Sequence, residues 1–216
     1  MKYIGEKFIT NENCEIKIID YIDRHNVLIQ FVDRPDYQVW STMQNIKKGQ
    51  IKNPYLQSVY NIGYYGVGEY TSRKNNKKTP QYIKWFSMFD RCYNQKVHEK
   101  FPNYKDCMVS EEFHNFQNFA KWYDKKIYKC KYPLELDKDL FEENNKIYCP
   151  SKCCFLPKEI NATLNSKRHD KETMDYIYNK YKNEVPYYIR MELLKLTTYQ
   201  SKKGEIDYEL YDDTNR

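Results

Sequence analysis

The sequence predicts an α+β fold in which a small β module precedes a helical region. Two β-branched runs, residues 15–21 and 27–32, are separated by a polar stretch that suits a turn. Aromatic residues then recur at helical spacing in residues 81–93 and again in residues 111–122. A chain of 216 residues has enough mass to bury a core, so we expect folded α+β parts.

We expect residues 1–60 to form a small β-barrel-like module, which could be SH3-like. Residues 37–40 supply a third strand after the turn at Arg34, Pro35 and Asp36. Three or more short strands of this kind commonly close into a small barrel or a curled sheet. A short helix should follow and end at Gly49.

Residues 61–80 are predicted to be a basic aromatic connector. Gly63, Gly66 and Gly68 lie among aromatic residues, but their order does not match the GxGxxG fingerprint of dinucleotide-binding loops. We expect a turn or an extended connector whose backbone passes close to a neighbour, either DNA or another part of the protein. Residues 71–80, TSRKNNKKTP, are polar and basic, and we interpret them as a linker loop.

Helices are predicted downstream of the connector. In residues 81–93 the apolar stripe faces a core, while Lys84 and Arg91 fall outside it. Ser110 is a suitable N-cap for a second helix over residues 111–122, because two acidic residues follow it. Residues 169–216 should hold two further helices, at about 170–182 and 186–196, and an acidic tail.

Positive charge is concentrated in one part of the chain. The net charge is only +6, but residues 44–107 hold 12 Lys or Arg against 4 Asp or Glu. Clustered cations between aromatic residues suit phosphate contacts and base stacking, so we expect double-stranded DNA as a partner; a solvated basic face is the alternative. The candidate DNA contacts are Lys52, Arg73, Lys74, Lys77, Lys78, Lys84 and Arg91.

The cysteines and the absence of an apolar run point to a cytoplasmic setting. The chain has seven cysteines, an odd number, and no apolar run of about 18 residues. Cys149, Cys153 and Cys154, with Cys107 or Cys130, could supply four zinc ligands, but C-x3-C-C is not the usual C-x2-C pair. Burial as small apolar residues explains Cys92, Cys107 and Cys153, so we do not predict a structural zinc ion.

Three ordered blocks carry a resemblance to a known family. They are YIKWFSMFDRCY (82–93), FPNYKDCMVSEEFHNFQNFAKWY (101–123) and LDKDLFEENNKIYCPSKCCFLPKEIN (136–161). Together they resemble phage-borne relatives of HNH endonucleases, which show YxxWxxMxxRCY, V(S/C)xxWxxFxxF, then LDKD, a polar turn, YxPxxC and Ile-Asn. The chain departs at Phe113, where Trp is usual. The resemblance implies an HNH-like ββα core surrounded by helices in residues 81–168, with host-cell cytoplasm as the location.

The resemblance also implies a metal site. In the HNH pattern a strand carboxylate and a helix Asn or His hold one divalent ion on the scissile phosphate, and a neighbouring histidine activates water. By resemblance, Asp137 and Asn161 would bind Mg²⁺ or Mn²⁺, and Asn145 would brace the active strand. The implied catalytic set is Asp137, Lys138, Asp139 and Asn145.

Lys138 stands where the wider HNH pattern has its histidine. A lysine ammonium, with an ordinary pKa of about 10.4, cannot accept a proton at neutral pH. Three other routes to an activated water remain open: Asp139 positions it, the metal suffices without a side-chain base, or His114 or His169 reaches the site. In a further alternative, Lys138 binds phosphate and the hairpin is only a scaffold that docks on DNA.

We therefore expect a phage-type DNA-binding protein whose HNH-like domain is a metal-dependent endonuclease that nicks or cuts DNA. One alternative is a catalytically inactive DNA-binding regulator derived from the same domain. Another is a host-takeover or inhibitor protein that binds a host protein through its acidic tail and its many tyrosines.

Overall fold

The computed structural model describes residues 3–166 and 170–198. The chain divides into two compact units. One holds the chain up to Leu56 together with Tyr65–Val67, and the other holds Gln57–Tyr64 and the chain from Gly68 onward. Both strands and helices are present, which confirms the α+β class. Within the described ranges, no helix combines the length and apolar character needed to cross a bilayer.

A four-stranded antiparallel sheet forms the N-terminal unit, with each strand paired to the next along the chain. Its elements are β1 (Lys7–Ile9), β2 (Glu15–Asp23), β3 (Asn26–Phe31), β4 (Arg34–Ser41) and the helix α1 (Met43–Lys47). Alternate side chains of β2 and β3 enter a core closed by α1: Ile16, Ile18, Val27, Ile29, Phe31, Met43 and Ile46.

The sheet is open, and no closed barrel is found in the part of the chain that the structure describes. β1 and β4 are its two edges. The chain passes from β4 straight into α1, where the Thr42 side chain accepts a hydrogen bond from Asn45 N and starts the helix. In the described residues, no fifth strand joins this sheet to bring β1 and β4 together.

The predicted connector contacts the protein's own aromatic core. Tyr60 and Asn61 have φ values of 53° and 57° and form a turn that returns the chain from Val59 to Gly63. A Cβ atom at Gly63 would lie 2.9 Å from Phe89 Cζ and 3.0 Å from the Trp85 ring. The close neighbour at Gly63 is therefore protein, one of the two candidates that the sequence left open.

The basic segment predicted as a linker loop is a short β-hairpin. Its strands are β5 (Arg73–Lys74) and β6 (Lys77–Lys78). Asn75 and Asn76 form the turn with φ values of 51° and 60°, the positive angles that two-residue hairpin turns require. The hairpin is joined to the next helix because Thr79 N donates to Ser72 O at 3.0 Å.

An aromatic helical layer follows the hairpin. Its elements are α2 (Pro80–Tyr93), α3 (Gln95–Lys100), a 3-10 turn (Pro102–Tyr104), the strand β7 (Met108–Val109), α4 (Glu111–His114) and α5 (Phe116–Lys126). α2 packs on α5 through buried rings, with the Trp85 and Phe116 centroids 5.4 Å apart.

The single helix predicted over residues 111–122 is wrong, because the structure divides it at Asn115. Tyr64 N donates to His114 O, and Phe116 N donates to Tyr64 O, so a distant segment takes the backbone groups of the break. The Asn115 side chain then caps α5 by accepting from Gln117 N at 2.9 Å. Ser110 does precede α4, but its hydroxyl makes no capping hydrogen bond.

The C-terminal part of the described chain contains two paired antiparallel strands and the helices that follow them. The elements are β8 (Leu134–Asp137), β9 (Ile147–Tyr148), β10 (Cys154–Pro157), α6 (Lys158–Asn165), α7 (Lys171–Tyr181) and α8, described over 187–198. β8 pairs with β10, while β9 pairs in parallel with β7. The polar turn that the resemblance implies after LDKD is instead a long connection over residues 138–153, which includes β9, because β9 pairs with β7.

Candidate functional site

Asp137 lies at the end of β8, opposite Cys154 of β10. Asp137 is only 3% exposed. Its Oδ2 accepts backbone hydrogen bonds from Asp139 N at 2.9 Å and from Leu140 N at 2.8 Å. Burial raises the pKa of Asp137 from its ordinary 3.8 to about 6; the Leu140 N–H opposes this rise and the Asp139 charge adds to it. Both of these hydrogen bonds use Oδ2.

Lys138 is buried, and its ammonium group is occupied by the protein. Nζ donates to both carboxylate oxygens of Asp139, at 2.7 and 2.8 Å, and also to Asn145 O. The Lys138 Nζ also lies 6.0 Å from the centroid of the buried Tyr148 ring. These contacts direct the ammonium into the loop, so they do not favour the alternative in which Lys138 binds a phosphate.

Asn145 holds the two ends of this loop together. Its Nδ2 donates to Lys138 O and to Ile147 O, both at 2.8 Å, and its Oδ1 accepts from Ile147 N at 3.1 Å. The side chain is therefore used as a backbone bracket between the residue after β8 and the start of β9. Buried polar groups satisfied in this way rigidify the segment that carries them.

Asn161, on α6, is bonded to a residue that the sequence analysis did not select. Its Nδ2 donates to Glu135 Oε2 at 3.0 Å, and its Oδ1 accepts from Asn165 Nδ2 at 3.1 Å. Glu135 and Asp137 are two residues apart on β8 and share one face of the strand. The described contacts thus join Asn161 to Glu135, beside Asp137 on the same face. The alternation of LELD was the signal that could have identified Glu135.

The side-chain oxygens of this strand and helix are potential ligands of a hard divalent cation, although the Asn161 Oδ1 already accepts a hydrogen bond from Asn165 Nδ2. Asp137 and Glu135 supply carboxylates and Asn161 an amide oxygen, the donor types that Mg²⁺ and Mn²⁺ accept. In the described part of the chain, no three His, Cys, Asp or Glu side chains form a metal-binding group. Mg²⁺ commonly takes only one or two carboxylates and keeps several waters.

The predicted DNA contacts fall into three groups. Arg73, Lys74, Lys77 and Lys78 are exposed on the β5–β6 hairpin, and three of them line an open groove of about 510 Å³ beside the start of α2. Lys52 is exposed in the N-terminal unit. Lys84 Nζ instead donates to Leu134 O at 2.7 Å, and Arg91 Nη1 donates to Leu136 O at 3.3 Å. The last two cations are therefore bonded to the strand that carries Asp137.

The histidines considered as alternative bases are located as follows. His114 Nε2 lies 3.0 Å from Val109 O, and its ring packs against Phe89. β7 and α2 therefore hold this ring, whereas the candidate metal ligands lie on β8 and α6. His169 lies outside the described residues.

All seven cysteines are free, and four of them are buried in unit 2: Cys92, Cys107, Cys153 and Cys154. Burial raises the pKa of each of these thiols, to about 12 for Cys92. A raised pKa disfavours the thiolate form that binds metals, so these side chains act as small apolar residues in the core.

Comparisons of the chain with protein-family models, with curated proteins and with solved structures found no match.

Proposed function

We propose that this chain is a phage-type DNA-binding protein whose β8–β10–α6 segment is an HNH-like domain, and that it nicks or cuts double-stranded DNA with Mg²⁺ or Mn²⁺. The observation that carries the proposal is the position of Asp137. This carboxylate is fixed by two backbone N–H groups at the end of β8, and a helix with Asn161 follows the paired strand.

The proposed metal ligands are Asp137 and Asn161, with Glu135 holding the Asn161 amide. When bound, the cation would stabilise the charge that develops on the scissile phosphate. Asn145 keeps the loop after β8 in one conformation, because it brackets Lys138 O and Ile147 O. The chain's own contribution is thus a rigid set of oxygen ligands next to a braced loop.

Lys138 is not the proposed base. Lys138 donates to Asp139 and to Asn145 O as an ammonium group, and an ammonium nitrogen has no lone pair with which to take a proton. The Asp139 side chain is 25% exposed while that of Lys138 is 8% exposed, so Asp139 reaches solvent more readily. We infer that Asp139, held by Lys138, accepts a hydrogen bond from the attacking water and orients it.

The exposed hairpin is the proposed DNA contact. Four cations on two short strands, with Lys74, Lys77 and Lys78 lining one groove, would neutralise phosphates without reading sequence. Lys78 Nζ also lies 5.5 Å from the Phe86 ring centroid, which keeps this cation over an aromatic face. We propose the cytoplasm of the host cell as the place of action.

A catalytically inactive DNA-binding regulator is the second candidate, and the Lys138 contacts favour it. With the usual histidine replaced by a lysine that is paired with Asp139, the loop could serve only to present the domain to DNA. A host protein partner, bound through the acidic tail, is the third.

The test combines DNA binding with DNA cleavage. Supercoiled plasmid is incubated with the full chain and Mg²⁺ or Mn²⁺, with a chelator control and an Asp137→Ala control, while duplex binding is measured separately. Cation-dependent cleavage that Asp137→Ala abolishes supports the endonuclease. Binding without cleavage by the wild type supports the regulator. A chain that does not bind DNA would overturn both.

A further inference from the structure

One edge of β8 has no strand beside it. β10 occupies the other edge, and β8 and β10 form a two-stranded sheet in the described residues. Carbonyl groups two residues apart on a strand point to the same edge. The carbonyls of Leu134 and Leu136 both accept from side chains of α2, namely Lys84 and Arg91, so a helix supplies the donors at this edge.

We propose that Lys84 and Arg91 are positioning residues that close the open edge of β8 and thereby fix Asp137. This inference rests on the proposed function for its catalytic meaning. The two cations are seven residues apart on α2, two helical turns, so they project from the same face of the helix. Their spacing lets two side chains reach two successive carbonyls of one strand edge.

The link from this edge to Asp137 is direct. Leu136 C=O and Asp137 N–H belong to one planar peptide unit, so anchoring the carbonyl also orients the start of Asp137. Arg91 Nη1 lies 3.4 Å from the hydroxyl of the buried Tyr148 as well, which ties β8 to β9. The Asp137 carboxylate, held on its far side by two N–H groups, is thus supported from both directions.

Both cations are half-buried, which agrees with this role. Burial lowers the pKa of Lys84, and the Arg91 charge lowers it further, as expected for an ammonium withdrawn from water. By contrast, the hairpin cations are exposed. If Lys84 and Arg91 were phosphate contacts, removing either would weaken DNA binding and reduce its salt dependence. If they instead form a clamp on β8 through the Leu134 and Leu136 carbonyls, removing either would loosen the strand and leave the salt dependence of DNA binding unchanged.

The experiment compares Lys84→Met and Arg91→Met with the wild type. Methionine keeps much of the aliphatic stem and removes the donor. Amide hydrogen exchange of the 134–140 segment is followed by mass spectrometry, with Lys121→Met, an exposed lysine of α5, as the matched control. We expect exchange in this segment to accelerate about tenfold in each clamp variant and to stay unchanged in the control. Lys84→Arg, which keeps a donor, should restore slow exchange.

DNA binding is measured on the same variants. We expect the Kd for duplex DNA to stay within about twofold and its salt slope to stay unchanged. In a cleavage assay, kcat should fall while KM for DNA holds, with Lys84→Arg restoring kcat. If the chain binds no DNA, the proposed function is wrong. The exchange data would still show whether Lys84 and Arg91 hold β8 in place.

Unchanged exchange in both methionine variants would overturn the inference. So would weaker DNA binding with a salt slope lower by about one, the mark of a lost phosphate contact. If a methionine variant does not fold by circular dichroism, Arg91→Lys, which keeps one donor, replaces it. Exchange in that variant should stay within about twofold of the wild type, as in Lys84→Arg, and an acceleration of about tenfold there would contradict the inference.

Discussion

Replacement of Asp137 by asparagine tests whether the protein holds a carboxyl group where charge is disfavoured. The residue is 3% exposed, and burial raises its pKa from 3.8 to about 6. Because the folded-state pKa is the higher one, the folded protein binds this proton more tightly, and stability falls as pH rises from about 4 to about 6. At about 1.36 kcal/mol per pKa unit, the charged carboxylate costs the folded state about 3 kcal/mol above that range.

Asp137→Asn removes this charge and keeps an oxygen for the N–H groups of Asp139 and Leu140. Neutral hydrogen bonds are weaker than those to a carboxylate, so part of the gain is lost. We expect the free energy of unfolding of the variant to exceed that of the wild type by about 1–3 kcal/mol at about pH 7.5, so that the variant is more stable there. Near about pH 4 the two values should be equal. Urea unfolding of both proteins across this pH range measures the difference.

The exposed Asp106 provides the matched control, because its replacement by asparagine removes a surface charge and no buried contact. The Asp106→Asn difference should stay within about 0.5 kcal/mol at every pH. An Asp137→Asn variant that is less stable than the wild type at all pH values would refute the reasoning. An equal gain in the free energy of unfolding at about pH 4 and at about pH 7.5 would also refute it, because a buried charge can lower stability only where the carboxyl group is ionised.

Three further predictions concern the loop, the hairpin and the connector. Asn145→Ala should lower the free energy of unfolding by about 2–4 kcal/mol, since three hydrogen bonds are lost; a loss below about 0.5 kcal/mol in urea would contradict this. Lys77→Ala should weaken duplex binding and lower its salt slope by about one, whereas Lys121→Ala on α5 should not; equal slopes would exclude the hairpin contact. Gly63→Ala should cost about 1–3 kcal/mol, because its Cβ would lie 2.9 Å from Phe89; an unchanged melting temperature would contradict that packing.

The elements whose formation depends on local sequence patterns could be predicted from the sequence. The β-branched runs became β2 and β3, and the aromatic stripe of residues 81–93 became α2, with Trp85 and Phe89 buried. Two strands and a helix around Asp137 are present as β8, β10 and α6. The β5–β6 hairpin was missed, although two asparagines between basic runs are a recognisable turn signal.

The parts that the sequence did not reveal depend on contacts between distant segments. No local signal at Asn115 shows that Tyr64 will take the backbone groups around it. The same holds for Lys138, whose role is decided by Asn145 on the other side of the loop. Lys84 looks like a surface cation until β8 is placed beside α2. Burial and pairing of a charge are tertiary properties, so residue type alone does not separate a phosphate contact from a structural clamp.

The central claim is that Asp137, and not Lys138, is essential to metal-dependent cleavage. The most direct measurement is the initial rate of supercoiled plasmid nicking in Mn²⁺ by the wild type, Asp137→Ala and Lys138→Met, each shown to be folded and to bind duplex DNA. We predict nicking by the wild type, a loss of about a hundredfold or more in Asp137→Ala, and residual nicking above that level in Lys138→Met. Nicking that persists in Asp137→Ala, or that fails in the wild type despite DNA binding, would contradict the account.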